Sequence, residues 1–283
     1  MTTIALATCS KYPALYADDQ PLVYALAREG LRAIPAVWDA APPRDVDAWI
    51  VRSVWDYHLR ADEFLAWVDR ASATLPFWND PALIRWNAHK TYLRDLVGRG
   101  VAVVPTLWAD ATHQLYLAAE LRARGWHDVV VKPAVSASAH RTARFGADDR
   151  AAAQLHCDAL ARDGVAMVQP YLSSVEGYGE RSFFFIDGAY THAVRRQAVL
   201  THGFEAERPA PLVEPSAAEM ALCLAVLRAL DVAPLYARVD VAPDDEGTPQ
   251  LMELELIEPR LYFRECPKAA ERLAAAIAKR LRG

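Results

Sequence analysis

Acidic side chains stand close together in a strongly apolar stretch near the carboxyl end of the chain, LMELELIEP at residues 251–259. Glu253 and Glu255 are two residues apart, so on a β-strand they point to the same face. That face also carries Leu251 and Ile257, and the opposite face carries Met252, Leu254 and Leu256. Carboxylates avoid burial unless cations compensate them. The spacing therefore predicts a strand that packs one face on a core and presents two acids to a cation.

A further acid comes from the segment just upstream, LYARVDVA at residues 235–242, in which Arg238 and Asp240 share one face of a predicted strand. The linking segment, PDDEGTP, is rich in turn residues, so the two strands are predicted to form an antiparallel hairpin. Three carboxylates gathered on one face repel each other, and Mg²⁺ binds such oxygens together with phosphate oxygens. The alternative is a solvated outer face on which Arg238 forms a local salt bridge.

Two lysines have surroundings that could bind phosphate. Lys132 ends the apolar run VVVKP and precedes AVSASA, whose small residues allow backbone N–H groups to approach an anion. Lys90 lies in the first turn of a helix predicted over residues 87–100 and capped by Asn87, where the helix dipole favours an anion. The alternatives are a lysine that extends to solvent from a strand end and an ordinary surface lysine.

A candidate site for a planar base lies in MVQPYLSSVEGYGE, residues 167–180, which is predicted as an apolar strand followed by a polar loop. Pro170 lacks a backbone N–H and suits an irregular, edge-like segment, whose neighbouring backbone groups could bond a base. Glu176 or Glu180 could bind ribose hydroxyls. The alternative is a plain strand and loop without a ligand.

Length and composition limit the class of protein. A chain of 283 residues can hold two or three subdomains. Its net charge of −5, without a basic block, argues against a nucleic-acid partner. The four cysteines form no metal-ligand spacing and indicate reduced thiols. No signal peptide or membrane span is predicted, so we expect a cytoplasmic protein without a membrane partner.

Strands and helices alternate over residues 1–85, which predicts a small α/β layer with a parallel sheet. The G-x-G-x-x-G fingerprint of a dinucleotide site is absent. Further along, VAVVPTLW, VVVKP and VAMVQPYL are predicted strands, and RSFFFIDGAYTHAVRR is a predicted hairpin with a turn at Asp187 and Gly188. A capping box of Ser216 and Glu219 opens a predicted helix, and a last helix is predicted over 267–282.

The order of these segments resembles the ATP-grasp superfamily of ligases over about residues 87–260. The ordered features are a helix-start lysine, a strand lysine with a small-residue loop, Q-P-Y-L followed by G-E, an Arg–Arg pair, and R-x-D and E-x-E on a hairpin. The resemblance implies an α/β (α+β) fold of three parts: an N-terminal Rossmann-like layer at 1–85, a small lid subdomain at 86–168 and a C-terminal antiparallel-sheet subdomain at 169–283.

The resemblance also implies roles for the residues that match its motifs. Lys90 and Lys132 would bind the phosphates of ATP, beneath a loop that carries Ser136 and Ser138. The adenine ring would be bound by Gln169, Tyr171 and Leu172, and the ribose by Glu180. Two Mg²⁺ ions would be held by Asp240, Glu253 and Glu255. The catalytic arginines would be Arg238, which stabilises the tetrahedral intermediate, and Arg195 and Arg196, which grip the γ-phosphate or the substrate carboxylate.

One variation in the motif narrows the resemblance to a group. Glu255 stands where the superfamily usually has asparagine. With this variation the sequence is most similar to the cycloserine synthetase group of O-ureido-serine cyclo-ligases, and the similarity extends to the segments VRSVWDY, VVVKPAVSA, MVQPYL and THAVRR. The loop SASAHRT and Arg260 differ from that group's pattern. The resemblance implies that an amino-acid-like substrate is activated at its carboxylate as an acylphosphate and attacked by an amine-type nucleophile, within one molecule in a cyclo-ligase.

Substrate contacts are expected at the end of the strand before VWDY, where α/β sheets present ligands. The candidates are Arg52, Ser53, Trp55, Asp56 and Tyr57, together with Arg260. Alternatively, VWDY is aromatic core with a capping aspartate. Two other functions remain open: a ligase that joins a carboxylate to a separate amine, as glutathione synthetase does, and a nucleotide-binding module without catalysis. Many members of the superfamily are dimers, so a homodimer is possible.

Overall fold

The computed structural model describes residues 1–197 and 210–282, and within these ranges twelve strands form three four-stranded sheets. The strands are β1 Thr3–Thr8, β2 Arg32–Val37, β3 Ala48–Ser53, β4 Phe77–Trp78, β5 Leu107–Ala109, β6 Val129–Pro133, β7 Ala143–Phe145, β8 Ala166–Pro170, β9 Glu180–Ile186, β10 Ala189–Arg196, β11 Tyr236–Pro243 and β12 Pro249–Glu255. The α-helices are α1 Gln20–Arg28, α2 Ala61–Ser72, α3 Pro81–Asn87, α4 Tyr92–Gly98, α5 Leu117–Arg124, α6 Arg150–Asp163, α7 Ser174–Gly177, α8 Ala217–Arg228 and α9 Pro267–Arg282. The mixed α/β class predicted from the sequence is confirmed.

The first sheet has the order β2-β1-β3-β4, and all its strands are parallel, as the alternation over residues 1–85 predicts. Every residue of β1 and β3 is buried, because helices cover both faces of a parallel sheet. On one face Ile4 and Ile50 pack with Leu26 of α1 and Leu273 of α9. The last helix therefore returns to the first layer of the chain.

The second sheet has the order β5-β8-β6-β7 and is antiparallel, with α5 and α6 packed on it. The strand predicted at VAVVPTLW is shorter than expected, because Pro105 interrupts it and only Leu107–Ala109 pairs with β8. The prediction of an edge-like segment at Pro170 is wrong, since β8 lies between two strands and the proline is its last residue. A subdomain boundary between 168 and 169 would divide this strand.

The third sheet has the order β10-β9-β11-β12 and is antiparallel throughout. The turn between β9 and β10 places Asp187 at φ 49° and Gly188 at φ 77°, as a type I′ turn requires. The capping box predicted for Ser216 and Glu219 is present at the start of α8. The final helix has the predicted bounds, Pro267–Arg282. No described helix has the length and apolarity needed to cross a bilayer.

A β-bulge changes which side chains of β12 face the core. Asp240 pairs with Glu253, but the next residue of β11, Val241, pairs with Leu251, so Met252 is an extra residue in its strand. Leu251 therefore packs in the apolar core, and Met252 turns to the opposite side, where it lines a cavity. The strict alternation predicted from the sequence is wrong at these two positions and correct for the acids.

The first layer holds the hairpin of β11 and β12 in place through Asn79, which follows β4. The Asn79 side chain donates to Tyr236 O (2.8 Å) and Leu256 O (2.7 Å) and accepts from the N–H of Leu235 (2.6 Å). It also accepts from the Tyr236 N–H (3.2 Å), and it is fully buried. One side chain thus satisfies backbone groups at the start of β11 and after β12, where these two strands no longer pair with each other.

Candidate active site

A cavity of about 250 Å³ lies where the second and third sheets meet the loop that follows β3. Strands β6 and β8 form one wall, β11 and β12 form the opposite wall, and Trp55 and Tyr57 close one end. Most of the residues predicted to bind ATP, metal or substrate line this space: Lys90, Lys132, Ser136, Ser138, Gln169, Tyr171, Leu172, Glu180, Arg196, Arg238, Asp240, Glu253, Glu255, Trp55, Tyr57 and Arg260.

Lys90 is buried at the centre of one wall. Its Nζ donates to the backbone oxygen of Ser136 (2.7 Å) and to the Ser136 hydroxyl (3.1 Å), and it lies 3.1 Å from Glu253 Oε1. The predicted helix position is wrong, because Asn87 ends α3 and Lys90 precedes α4. Asn87 instead donates to Leu254 O and accepts from the Leu256 N–H, both at 2.8 Å. The lysine is thereby fixed against β12 rather than at a helix terminus.

Lys132 lies on β6 and lines the same cavity, and Ala134 O just after this strand accepts from the Lys90 N–H (2.9 Å). Burial lowers the pKa of its ammonium, and the Glu253 carboxylate opposes this effect. Ser136 is buried beneath the loop that follows β6, whereas Ser138 is exposed at φ 52° and still faces the cavity. The two lysines therefore bring positive charge to one space together with a hydroxyl-bearing loop.

The three predicted metal ligands converge. Asp240, Glu253 and Glu255 each place one carboxylate oxygen within 4.8 Å of the others. Burial raises the pKa of Glu255 to about 7, with Arg238 opposing that rise. Burial also acts to raise the pKa of Glu253, but Lys90 and the second lysine outweigh it and hold that pKa below its usual value. Three hard oxygen donors that crowd each other in this way are a chemically suitable set for Mg²⁺.

Two arginines neutralise this acidic cluster. Arg238 Nη2 lies 2.8 Å from Asp240 Oδ2, and the same group contacts Glu255. Arg196 Nη2 lies 2.8 Å from Asp240 Oδ2 and 3.0 Å from Glu180 Oε2. The opposing charges hold the pKa of Asp240 below its usual value despite its burial. The two guanidinium groups thus compensate the buried carboxylate of Asp240 and favour its charged form.

Arg195 does not join this group, because neighbouring residues of a strand point to opposite faces. Its guanidinium donates to Tyr178 O (2.8 Å) and to Gly177 O, and it is exposed. The expected shared role with Arg196 is therefore wrong: Arg195 fastens the loop before β9. Gly179 in that loop has φ +80°, and a Cβ there would lie 2.7 Å from Arg196 O. Only glycine fits this close approach, which brings the following Glu180 beside Arg196.

The adenine candidates lie at the other end of the cavity. Gln169 Nε2 donates to Thr106 Oγ1 (2.8 Å), and Leu172 packs with Val104 and Val175. Tyr171 lies under the Arg144 guanidinium, 3.6 Å from its ring centroid, and its hydroxyl donates to Glu176 (3.0 Å). Glu176 does not line the cavity, so of the two acids considered for ribose only Glu180 faces this space.

The substrate candidates divide into two sets. Trp55, Tyr57 and Arg260 line the cavity, whereas Arg52, Ser53 and Asp56 do not. The second set has partners inside the first layer. Arg52 Nη2 lies 2.8 Å from Asp19 Oδ1 and donates to Pro259 O (3.0 Å), Ser53 donates to Asp19 (2.6 Å), and Asp56 accepts from Trp38 (2.9 Å). Arg52 and Ser53 end a buried strand, Asp56 follows it, and the contacts of all three residues stabilise the first layer and the loop after β12 instead of lining the cavity.

Several residues that line the cavity are not predicted as site residues from the sequence, among them Glu258 and Tyr262. Glu258 belongs to the acidic stretch, but its spacing does not match the period of the strand, which ends at Glu255. Tyr262 adopts a positive φ of 52° in the loop after β12. That loop is fixed to the first layer, since Asp18 accepts from the N–H groups of Phe263 (3.3 Å) and Arg264 (3.1 Å). Because this loop is irregular, no periodic pattern in the sequence predicts that Glu258 and Tyr262 face the cavity.

Known proteins with the same architecture include ligases. The family described as "D-cycloserine synthetase DcsG, N-terminal domain" matches residues 4–79. The cycloserine biosynthesis protein DcsG of Streptomyces lavendulae is 31% identical over 301 residues, covering 100% of both chains. The crystal structure of D-cycloserine synthetase DcsG superposes with a TM-score of 0.91 at 29% identity, over 99% of both chains.

More distant structures share the fold alone. A RimK domain ATP-grasp protein from Sphaerobacter thermophilus has a TM-score of 0.70 at 20% identity, over 100% of both chains. D-alanine–D-alanine ligase from Bacillus anthracis, complexed with ATP, has a TM-score of 0.69 at 17% identity, over 100% of this chain and 99% of that one. On the full-length relationship to DcsG, the chain belongs to the D-cycloserine synthetase family and is an ATP-dependent ligase with the ATP-grasp fold.

Proposed function

We propose that the enzyme activates the carboxylate of an amino-acid-like substrate as an acylphosphate and closes a ring within that molecule, as the name D-cycloserine synthetase indicates for its relative. The observation that carries this proposal is the convergence of Asp240, Glu253 and Glu255 with Lys90 and Lys132 on one cavity. Three acids and two ammonium groups in one space suit a metal-bound triphosphate.

In the proposed first step, the substrate carboxylate attacks the γ-phosphate of ATP, and ADP leaves. Lys90 and Lys132, which both line the cavity, neutralise phosphate charge. Asp240, Glu253 and Glu255 would hold Mg²⁺, which when bound adds further positive charge at the phosphates. Arg196 lines the cavity and would exchange its ion pairs with Asp240 and Glu180 for the γ-phosphate or the substrate carboxylate.

In the proposed second step, a nitrogen of the same molecule attacks the acyl carbon, and phosphate leaves. Arg238 stabilises the oxyanion that forms, a role worth about 3 kcal/mol in other enzymes. Acylphosphates hydrolyse readily, so water must be excluded while the ring closes. The loop that bears Ser136 and Ser138 and the aromatic side chains of Trp55 and Tyr57 border the cavity and support such exclusion.

The test is ADP release with ATP and Mg²⁺ over a panel of amino acids and O-substituted serines, with product mass as a second readout. We expect ADP release with one O-substituted serine alone and a product whose mass corresponds to ring closure. ADP release that requires a separate amine would indicate an intermolecular ligase. A chain that binds ATP but releases no ADP with any acid and amine would be a binding module.

An intermolecular ligation is the second candidate, and Arg260 favours it. This residue differs from the cycloserine synthetase pattern and lines the cavity beside Tyr262, with its guanidinium 4.1 Å from that ring centroid. A further cation at the substrate end suits a substrate with an additional carboxylate. Running the same screen with and without a separate amine distinguishes the two candidates, and comparing acidic with neutral O-substituted serines tests the role of Arg260.

A further inference from the structure

Glu258 is a carboxylate of the cavity wall whose side chain has no hydrogen-bond or ion-pair partner among the residues that the structure describes. Only 7% of the residue is exposed, and it lines the cavity. Its backbone oxygen accepts from Trp55 Nε1 (2.9 Å), which fixes the main chain. Its side chain forms no hydrogen bond or ion pair with any part of the chain that the structure describes, in contrast to Asp240, Glu253 and Glu255.

The cations nearest to Glu258 are already engaged. Lys90 is bound to Ser136 and Glu253, and Arg238 is bound to Asp240 and Glu255. Arg260, two residues further on, lies 3.5 Å from Glu265 and 3.8 Å from Asp18. None of these cations forms an ion pair with Glu258.

Glu258 also lies outside the metal cluster. The group of acids whose ligand oxygens lie within 4.8 Å of one another comprises Asp240, Glu253 and Glu255, and among the described residues no second group meets that criterion. Burial raises the pKa of Glu258 well above its usual value, and Glu255 adds to this effect. Ionising an acid buried in this way is costly unless a bound cation compensates its charge.

We propose that Glu258 binds the ammonium group of the amino-acid substrate, at the end of the cavity bordered by Trp55, Tyr57 and Tyr262. The proposal rests on the proposed function, because it takes the substrate to be an amino acid. An amino acid carries its ammonium group next to the carboxylate that is activated, so the two groups need adjacent binding sites. Glu258 follows Glu255 in the chain by three residues and borders the same cavity, which meets that need.

The matching chemistry is a primary ammonium rather than a metal ion or a guanidinium. One carboxylate with an apolar aromatic surround compensates a single positive charge. Tyr57 is buried and also lines the cavity, and its hydroxyl would accept a hydrogen bond from the same ammonium group. Substrates that lack the amino group would leave the buried acid uncompensated, so the enzyme would discriminate against them.

The experiment compares Glu258→Gln and Glu258→Asp with the wild-type enzyme and with Glu246→Gln, which removes an acid from the exposed turn of the same hairpin. The probes are O-ureido-serine and its analogue without the amino group. For Glu258→Gln we expect KM for the amino acid to rise by about 10- to 100-fold. KM for ATP should stay within about twofold, and Glu258→Asp should recover part of the loss.

A parallel binding measurement separates this proposal from the proposed function. Thermal shifts are recorded with ATP, Mg²⁺ and each probe, so that turnover is not needed. We expect wild type to be stabilised more by the amino acid than by its analogue, and Glu258→Gln to lose that preference. Equal responses to both probes in the wild type, or an unchanged preference in Glu258→Gln, would overturn the assignment of Glu258. Binding with this preference but without ADP release would overturn the ligase reaction alone.

Discussion

Lys90 Nζ lies 3.1 Å from Glu253 Oε1, so a lysine between α3 and α4 is paired with an acid of β12. The same ammonium donates to Ser136, which joins the loop after β6 to this pair. A residue expected to bind phosphate is therefore in contact with a residue expected to bind metal. Removing either one leaves the other buried without its counter-charge.

The first prediction concerns Glu253→Gln. The substitution keeps the shape of the side chain but removes a carboxylate from the cluster and the partner of Lys90. We expect Mg²⁺-dependent ADP formation to fall by about 100-fold or more. Steady-state ADP release at several Mg²⁺ concentrations measures this, with Glu246→Gln as the matched control. Wild-type turnover in Glu253→Gln would remove the metal assignment.

The second prediction concerns Arg238→Lys, which keeps a positive charge beside Asp240 and Glu255 but loses the planar fork. We expect kcat to fall by about 100-fold, while KM for ATP changes by less than about threefold. Arg228→Lys at the exposed end of α8 is the control. Equal losses in kcat and in ATP affinity would indicate a merely structural role for Arg238.

The third prediction concerns Asn79→Ala. This substitution leaves the N–H groups of Leu235 and Tyr236 and the oxygens of Tyr236 and Leu256 without their partner. Each buried group left unsatisfied costs about 1–3 kcal/mol, so we expect the free energy of unfolding to fall by roughly 3 kcal/mol or more. Urea denaturation measures the change, and Gln114→Ala, which removes an exposed amide, should leave the midpoint in place. A loss below about 1 kcal/mol would contradict the bridging role.

The fourth prediction concerns His192, a buried residue whose ring stacks on Phe184 at a centroid distance of 4.4 Å. Burial lowers the pKa of His192 to about 4. The unfolded chain binds a proton near pH 6.5 and the folded protein does not, so this group costs stability as the pH falls from about 6.5 to 4. The loss amounts to at most about 3 kcal/mol.

Replacing this histidine tests the sign. We expect His192→Leu to flatten the decline of the unfolding free energy between pH 6.5 and 4, measured by urea denaturation at several pH values. His127→Leu, which replaces an exposed histidine, should follow the wild-type curve. A decline of the same slope in His192→Leu would assign the acid sensitivity to other groups.

The acids of the hairpin could be predicted because acidic residues recur at every second position, which is the period of a β-strand. Asp240, Glu253 and Glu255 keep that period and meet as expected. The same rule fails at Leu251 and Met252, because a bulge adds one residue and no local signal marks it. Spacing therefore identifies functional residues on regular elements and misplaces them at irregularities.

The residues that sequence reasoning misassigned have roles set by contacts far along the chain. Arg52 looks like a ligand contact at a strand end, but Asp19 and the Pro259 carbonyl accept from its Nε and Nη2 groups. The spacing of β12 gives no role to Glu258, because the strand ends at Glu255 and the two-residue period does not extend to position 258. Arg195 and Arg196 are identical in type, and only their positions on β10 distinguish them: Arg195 binds the loop before β9, and Arg196 lines the cavity.

The loop that carries Glu258, Arg260 and Tyr262 is anchored to residues from the opposite end of the chain. Asp18 receives two of its backbone N–H groups, and Arg52 binds the Pro259 carbonyl. Engineered hybrids that graft this loop from a relative with another specificity will therefore need the matching residues 16–19 and 52–57 from the same donor. Exchanging either segment by itself would remove the hydrogen bonds that hold this loop in place. Substrate preference therefore depends on residues from both ends of the chain.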